Sequence, residues 1–354
     1  MPIALSRRAF NRSLAALPLA ATGCATDSAT PAAARPWHHT AAGFRNPPGS
    51  APRGGDFGDW SSFFLRRFGH REPPVVPDGH VLPPDEVAAG LHRHHGADSL
   101  TWLGHASFLI RLDGRTILTD PFLSEHASPL PPFGPERFAP PGLVPGQLPP
   151  IDILLLSHNH YDHLDLPTIE ALPARDRIQV VVPLRLGHYF TSRGFTSVHE
   201  VDWHDQMIVA GIAVTGLPAI HFSKRALFDR NQTLWAGYAV QSSRRRLHFA
   251  GDTGYGPIFP ELGRNGRPFD LTLLPIGAYE PQLLMRAVHV NPEEAVQIAR
   301  DLNARCIVAM HWGTIQLTDE PPFEPPERLR TAARAAGYGD DRTWIMRIGE
   351  TRAL

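Results

Sequence analysis

"LLLSHNHYDHLD", Leu154–Asp165, sets three histidines and two aspartates directly behind a run of leucines. The run extends back through "IDILLLS", a continuous apolar stretch of the kind that forms a buried strand. Residues two apart on a strand face the same way, so His158 and His160 can hold one cation together. Once the chain turns at Asn159–Tyr161, Asp162 and His163 can reach a second ion beside the first. Imidazole and carboxylate donors suit zinc, and also iron or manganese. The competing reading is a solvated histidine loop. Fusion to a strand that must be buried argues against it, because buried ionisable groups are paired or coordinate metal.

Three later strand ends each offer one more donor. "LPAIHFS" ends in His221, "HFAGDTGY" carries Asp252, and "IVAMHWGT" carries His311. A lone histidine behind an apolar strand is ordinarily structural. Four such ends in one chain, all bearing ligand-type residues, point to one shared site.

The rest of the chain alternates strands with helices, which gives an α/β class built in layers. "LTWLGHASFLIRLDGRTILTDPFL" predicts two or three strands, with Asp113-Gly114 as a hairpin turn. "IQVVVP", "MIVAGIAVTGLPAI", "LWAGYAVQS", "RRLHFAGD" and "RCIVAMHWG" predict further strands. "NPEEAVQIARDLNA" (Asn291–Ala304) predicts a helix with Asn291 as cap and Pro292 in the first turn. "PPERLRTAARAAGYG" predicts a C-terminal helix closed by glycine. "LHRHHG" (Leu91–Gly96) reads as solvated loop.

The chain has 354 residues, enough for one large domain or two moderate ones. A formal net charge of −1 gives no global field to recruit nucleic acid. No basic stripe with interleaved aromatics is seen either, so nucleic acid is not an expected partner.

The N-terminus reads as a targeting segment. "SRRAF" places Arg7 and Arg8 ahead of Phe10, an apolar stretch follows from Leu14, and "ATGC" ends at Cys24. This resembles a twin-arginine signal joined to a lipoprotein box, with residues 1–24 as the signal and Cys24 as the lipidated residue. A Sec-type lipoprotein signal carries the same features, with the arginines as its charged region. Phe10 favours the twin-arginine route, and Ala21 in place of leucine weakens the lipid box. The expectation is a periplasmic lipoprotein of the cell envelope. With Cys24 so used, Cys306 is the remaining thiol and no intramolecular disulfide is available. Residues 25–60 read as a flexible Pro/Ala-rich tether. Residues 61–354 read as the catalytic domain. "WSSFFLRRFG" (Trp60–Gly69) is either a helix packed on that domain or a surface that meets membrane.

The series His158, His160, Asp162, His163, His221, Asp252, His311 resembles the metallo-β-lactamase superfamily, from about Leu100 to the C-terminus. The resemblance implies a four-layer αβ/βα sandwich with a dinuclear centre at the edge between its sheets. It implies two zinc ions, the first held by His158, His160 and His221, the second by Asp162, His163 and His311, with Asp252 bridging. "TWLGHASFLI", "ILTDPFLS", "LPIGAYEP", "MRAVHVNPEEAV" and "HWGT" are further similar to N-acyl-phosphatidylethanolamine-hydrolysing phospholipases D. That likeness implies hydrolysis of such lipids to N-acylethanolamine and phosphatidic acid. It gives His289 a direct role beside Asp162 at the catalytic centre, and a homodimer is among the partners it implies.

Two metals ~3.5–4 Å apart can generate a bridging hydroxide and clamp both oxygens of an in-line displacement. His289 can donate a proton, hold the phosphate, or orient a metal ligand. Tyr161, Tyr279 and Glu280 are expected to line the substrate pocket, and Asp165 to hydrogen-bond a ligand histidine. A membrane-bound phospholipid suits a lipid-anchored enzyme, although a soluble phosphodiester fits the same metals. A lactonase of the same fold and a non-enzymatic zinc-binding envelope lipoprotein remain open beside this reading.

Overall fold

The computed structural model describes residues 36–68 and 73–354. The signal at 1–24, lipidation at Cys24 and the first part of the expected tether lie outside the described residues.

Among the described residues, fourteen strands form two seven-stranded sheets. The strands are β1 (Ser99–Gly104), β2 (Ser107–Leu112), β3 (Arg115–Thr119), β4 (Ile153–Leu155), β5 (Gln179–Pro183), β6 (Ser197–Val201), β7 (Gln206–Val209), β8 (Ile212–Leu217), β9 (Gly237–Gln241), β10 (Arg246–Phe249), β11 (Leu271–Pro275), β12 (Ile307–Met310), β13 (Thr343–Trp344) and β14 (Thr351–Ala353). One sheet runs β14-β1-β2-β3-β4-β5-β6 and the other β13-β12-β11-β10-β9-β8-β7. Each is mixed: hairpin-linked strands pair antiparallel on one side, and β3 to β6 or β10 to β13 pair parallel on the other. The expected hairpin turn is present, with φ of 46° at Asp113 and 76° at Gly114.

Side-chain alternation explains the layering. In β4, Ile153 and Leu155 join the core shared by the two sheets, while Leu154 points the other way with Val180 and Val182 of β5. That outer face is covered by Ile169 and Phe190, which stand on two short helices. The helices are α1 (Phe57–Phe68), α2 (Pro84–Arg93), α3 (Leu166–Ala171), α4 (His188–Thr191), α5 (Ile258–Asn265), α6 (Gln282–Met285), α7 (Pro292–Asp301) and α8 (Pro325–Ala335). Helices on the outside and two sheets within make the four-layer αβ/βα sandwich that the resemblance implies. The predicted cap of α7 forms: Asn291 Oδ1 accepts from Glu294 N at 2.8 Å, and Glu294 reaches back to Asn291 N.

One boundary is corrected. Residues 37–60 are packed rather than a free tether. Phe44 is buried with Trp203, Leu234 and Trp235, and Phe44 N donates to Asn231 O at 2.8 Å. Proline and alanine made this stretch look flexible; a few aromatic and polar side chains anchor it. α1 begins inside it and settles the second choice in part. Phe63 packs on Leu284 and Met285, while Phe57 and Leu65 face solvent.

Candidate metal centre

The donors gather where strands of both sheets end. His158 to His163 follow β4, His221 follows β8, Asp252 follows β10 and His311 follows β12. This is the carboxyl edge of the parallel strands, where α/β sheets open a crevice. Gly251 makes the close approach possible. Its φ is 59°, and a Cβ there would lie 2.5 Å from the Ser157 Cβ.

The seven donors fall into two groups sharing Asp252. In one, His158 Nε2 lies 2.9 Å from His160 Nδ1, and His221 Nε2 lies 3.2 Å from the same His160 atom. Asp252 Oδ2 is 3.8 Å from His158 Nε2 and 3.7 Å from His221 Nε2. In the other, Asp162 Oδ2 is 3.5 Å from both His163 Nε2 and His311 Nε2. Asp252 meets this second group as well, with Oδ2 at 3.2 Å from His163 Nε2 and Oδ1 at 3.2 Å from His311 Nε2.

Neighbouring groups turn the ring nitrogens inward. His221 Nδ1 donates to Val288 O at 2.9 Å, which leaves Nε2 bare. His163 Nδ1 donates to Asp120 Oδ2 at 2.7 Å, which directs Nε2 at Asp162 and Asp252. Ser157 donates to Asp120 through both its amide and its hydroxyl, so the 2.8 Å contact between Ser157 Oγ and His158 Nδ1 is donated by the imidazole. Meanwhile His163 Nε2, His311 Nε2 and Asp252 Oδ1 are buried without any hydrogen-bond partner. Such atoms are costly unless an ion takes them up. The residues therefore fit divalent cations that favour nitrogen and oxygen donors.

Electrostatics agrees. Burial alone would raise Asp252 and Asp162, yet His163 and its histidine neighbours outweigh it and hold both well below the usual carboxylate range. Burial lowers His160 to about 4 and drives His158 and His221 well down, so these imidazoles stay neutral. Burial works against charge on His311 too, but Asp252 and Asp162 lift it to about 9.

The remaining sequence candidates divide. His289 reaches the centre: its Nδ1 is 4.0 Å from Asp252 Oδ2 and its side chain is 12% exposed. Burial lowers it to about 4. Tyr161 stands beside the donors in an apolar cluster with Phe122, Ala127, Ile315 and Leu317, its hydroxyl donating to Arg225 O at 2.8 Å. Tyr279 does not line a pocket. It is fully buried, and its hydroxyl donates to Glu324 Oε2 at 3.2 Å, towards α8. Position after an apolar strand placed Tyr279 just beyond β11, but did not show which way its ring turns. Glu280 makes a local contact, Oε2 accepting from Gln282 N at 3.0 Å. Asp165 bonds no ligand histidine. It accepts from Leu123 N, Ser124 N and the Thr168 hydroxyl, tying the 122–124 loop to α3.

Two residues at the centre were not singled out from sequence. Asp120, in "ILTDPFLS", is the partner of His163 that Asp165 was expected to resemble. His105, in "WLGHAS", lies with Nε2 2.9 Å from Asp162 Oδ2 and its ring 3.9 Å from that of His311. Both sit in quoted strings, but a single acid or histidine behind a strand carries no spacing signal of its own.

Residues 115–312 match the family model described as the beta-lactamase superfamily domain. An uncharacterized protein of Mycobacterium tuberculosis is 42% identical over 240 residues, 66% of this chain and 64% of that protein's length. The N-acyl-phosphatidylethanolamine-hydrolyzing phospholipase D 1 of Caenorhabditis elegans is 36% identical over 304 residues, 81% of this chain and 85% of that protein. In fold, the chain resembles the metallo hydrolase Igni18 of Ignicoccus hospitalis, with a TM-score of 0.55 at 21% identity over 73% of this chain and 98% of that one. The chain thus belongs to the metallo-β-lactamase superfamily, with N-acyl-phosphatidylethanolamine-hydrolysing phospholipases D among its homologues.

Proposed function

We propose that this chain is a dinuclear zinc phosphodiesterase that hydrolyses N-acyl-phosphatidylethanolamine-like lipids to N-acylethanolamine and phosphatidic acid. The observation that carries the reading is the convergence of seven donors on two groups that share Asp252. His158, His160, His221 and Asp252 would hold one ion; His163, His311, Asp162 and Asp252 the other. A bound pair of this kind lowers the pKa of water towards about 7 and neutralises charge on a phosphodiester.

The chain's own residues supply orientation. Asp120 and the Val288 carbonyl keep His163 and His221 turned inward. His289 is neutral at pH 7, so it offers one N–H to a substrate oxygen rather than a full positive charge. Tyr161, which precedes Asp162 in the chain, packs with Ile315 and Leu317 and would give the site an apolar wall.

A lipid substrate is supported by where apolar side chains are exposed. Leu227 and Phe228, 74% and 85% exposed, lie on the loop that follows His221, with Lys224 and Arg230 beside them. Leu283, on α6 ahead of His289, and Leu65 on α1 are exposed as well. Apolar side chains flanked by cations suit an anionic lipid surface. A lipid anchor at Cys24, after twin-arginine export, would keep the enzyme at the periplasmic face of a membrane.

A substrate panel tests the reading. The zinc-loaded chain is expected to cleave bis-p-nitrophenyl phosphate and N-acyl-phosphatidylethanolamine and to leave lactones intact. Lactone opening without diester cleavage would replace this reading with the lactonase.

A further inference from the structure

Away from the main centre, His38 and His39 turn onto one carboxylate. His38 Nε2 lies 2.6 Å from Asp202 Oδ1, and His39 Nε2 lies 2.6 Å from Asp202 Oδ2. Adjacent residues on an extended chain point to opposite sides. Here a turn at 37–38, followed by the His39–Phe44 bridge, brings both rings to the same point. Each ring is held from behind: His38 stacks on Trp203 at 4.4 Å and 24°, and His39 meets the edge of Phe44 at 5.1 Å.

The mutual geometry of the two rings repeats that of the main centre. His38 and His39 have centroids 4.6 Å apart at 77°. His158 and His160 stand at 4.4 Å and 80°, and His158 and His221 at 4.7 Å and 78°. Edge-on imidazoles at this separation let two nitrogens approach one point without their rings colliding. Each carboxylate oxygen has one imidazole nitrogen against it, so three donor groups of ligand type converge on one point.

We propose that His38, His39 and Asp202 form a separate binding site for one divalent transition metal, zinc being the ion best suited to two imidazoles and a carboxylate. His39 and Asp202 are partly exposed, at 16% and 15% of their side chains, so a water can complete the coordination. The site pins residues 37–46 to the segment after β6. That strap carries Asn46, whose Oδ1 accepts from His221 N at 3.0 Å and from Trp235 Nε1 at 3.1 Å. The ion therefore fastens the piece of chain that braces the backbone of His221.

His39→Gln separates a metal site from a simple latch. Glutamine keeps an N–H that can reach Asp202 but is a poor zinc ligand. Chelated full-length chain, wild type and variant, is titrated with zinc alone by calorimetry. Wild type is expected to bind one zinc equivalent more than His39→Gln. Asp252→Ala is expected to lose zinc from the main centre while keeping the strap ion, so failure at one site is distinguished from failure at the other. Equal stoichiometry in wild type and His39→Gln overturns the proposal and leaves a hydrogen-bonded latch only. Zinc-soaked wild-type crystals give a readout that needs no variant. An anomalous peak between His38, His39 and Asp202 is expected, and no peak there overturns the site.

Discussion

Asp120 Oδ2 accepts from His163 Nδ1 at 2.7 Å, and both side chains are fully buried. That contact decides which nitrogen His163 offers to a metal and raises the basicity of the ring. Asp120→Asn keeps the size but loses the charge and the certain acceptor. It is expected to weaken zinc binding about 10- to 100-fold, the usual cost of losing such a partner. Competition with a chromophoric chelator measures it; unchanged affinity would show that Asp120 serves the fold alone.

His289 is expected to act on substrate without holding metal. His289→Ala should lower kcat by about 10²-fold or more with zinc content unchanged. His289→Gln, which restores a neutral N–H, should recover part of that loss. Zinc content lowered in step with activity would instead make His289 a ligand.

Protonation sets a stability window once the protein is chelated. Burial lowers His105 to about 3 and both His160 and His289 to about 4, from an ordinary 6.5. Below pH 6.5 the unfolded chain takes up protons that the folded chain refuses, so stability falls as pH drops towards about 4. His311 works the other way. Asp252 and Asp162 overcome burial and lift it from 6.5 to about 9, so its contribution is complete below 6.5 and is lost as pH rises through about 9. The Tm of chelated protein should therefore peak between these limits. Saturating zinc should flatten the alkaline side, because the ion then neutralises Asp252 and Asp162. Thermal melts across the range, with and without zinc, check both limbs.

The exposed side chains after His221 are expected to serve lipid surfaces only. Burying a Leu or Phe is worth about 2 kcal/mol. Leu227→Ser with Phe228→Ser should thus weaken binding to anionic vesicles by at least about tenfold. Cleavage of soluble bis-p-nitrophenyl phosphate should be unchanged. Equal losses on both substrates would place the loop in the catalytic structure instead.

Gly251→Ala introduces a Cβ 2.5 Å from Ser157 Cβ at a φ of 59°. A cost of about 1–3 kcal/mol is expected from the backbone alone, read as a lower Tm with weaker zinc retention. An unchanged Tm would mean that the turn relaxes freely.

Much of the centre was legible because its donors follow uniformly apolar strands. The strand marks burial, and burial makes each following His or Asp informative. The pairing into two groups came through family likeness rather than from the spacing of the donors. Asp120 and His105 escaped because their role depends on strand neighbours: β3 pairs with β4, and that pairing alone brings Asp120 beside Ser157 and His163. Tyr279 was misplaced because ring direction is set by packing on α8. The segment 37–60 misled through its composition, since Phe44, His38 and Asn46 outweigh its many small residues.

The central claim is phosphodiester cleavage by this centre. Zinc-loaded chain is incubated with N-acyl-phosphatidylethanolamine vesicles in ¹⁸O-water, and the products are resolved by mass spectrometry. The account predicts N-acylethanolamine and phosphatidic acid, with the label in the phosphate, and no turnover by Asp252→Ala or chelated protein. Release that persists after chelation, or fatty acid as the labelled product, would contradict it.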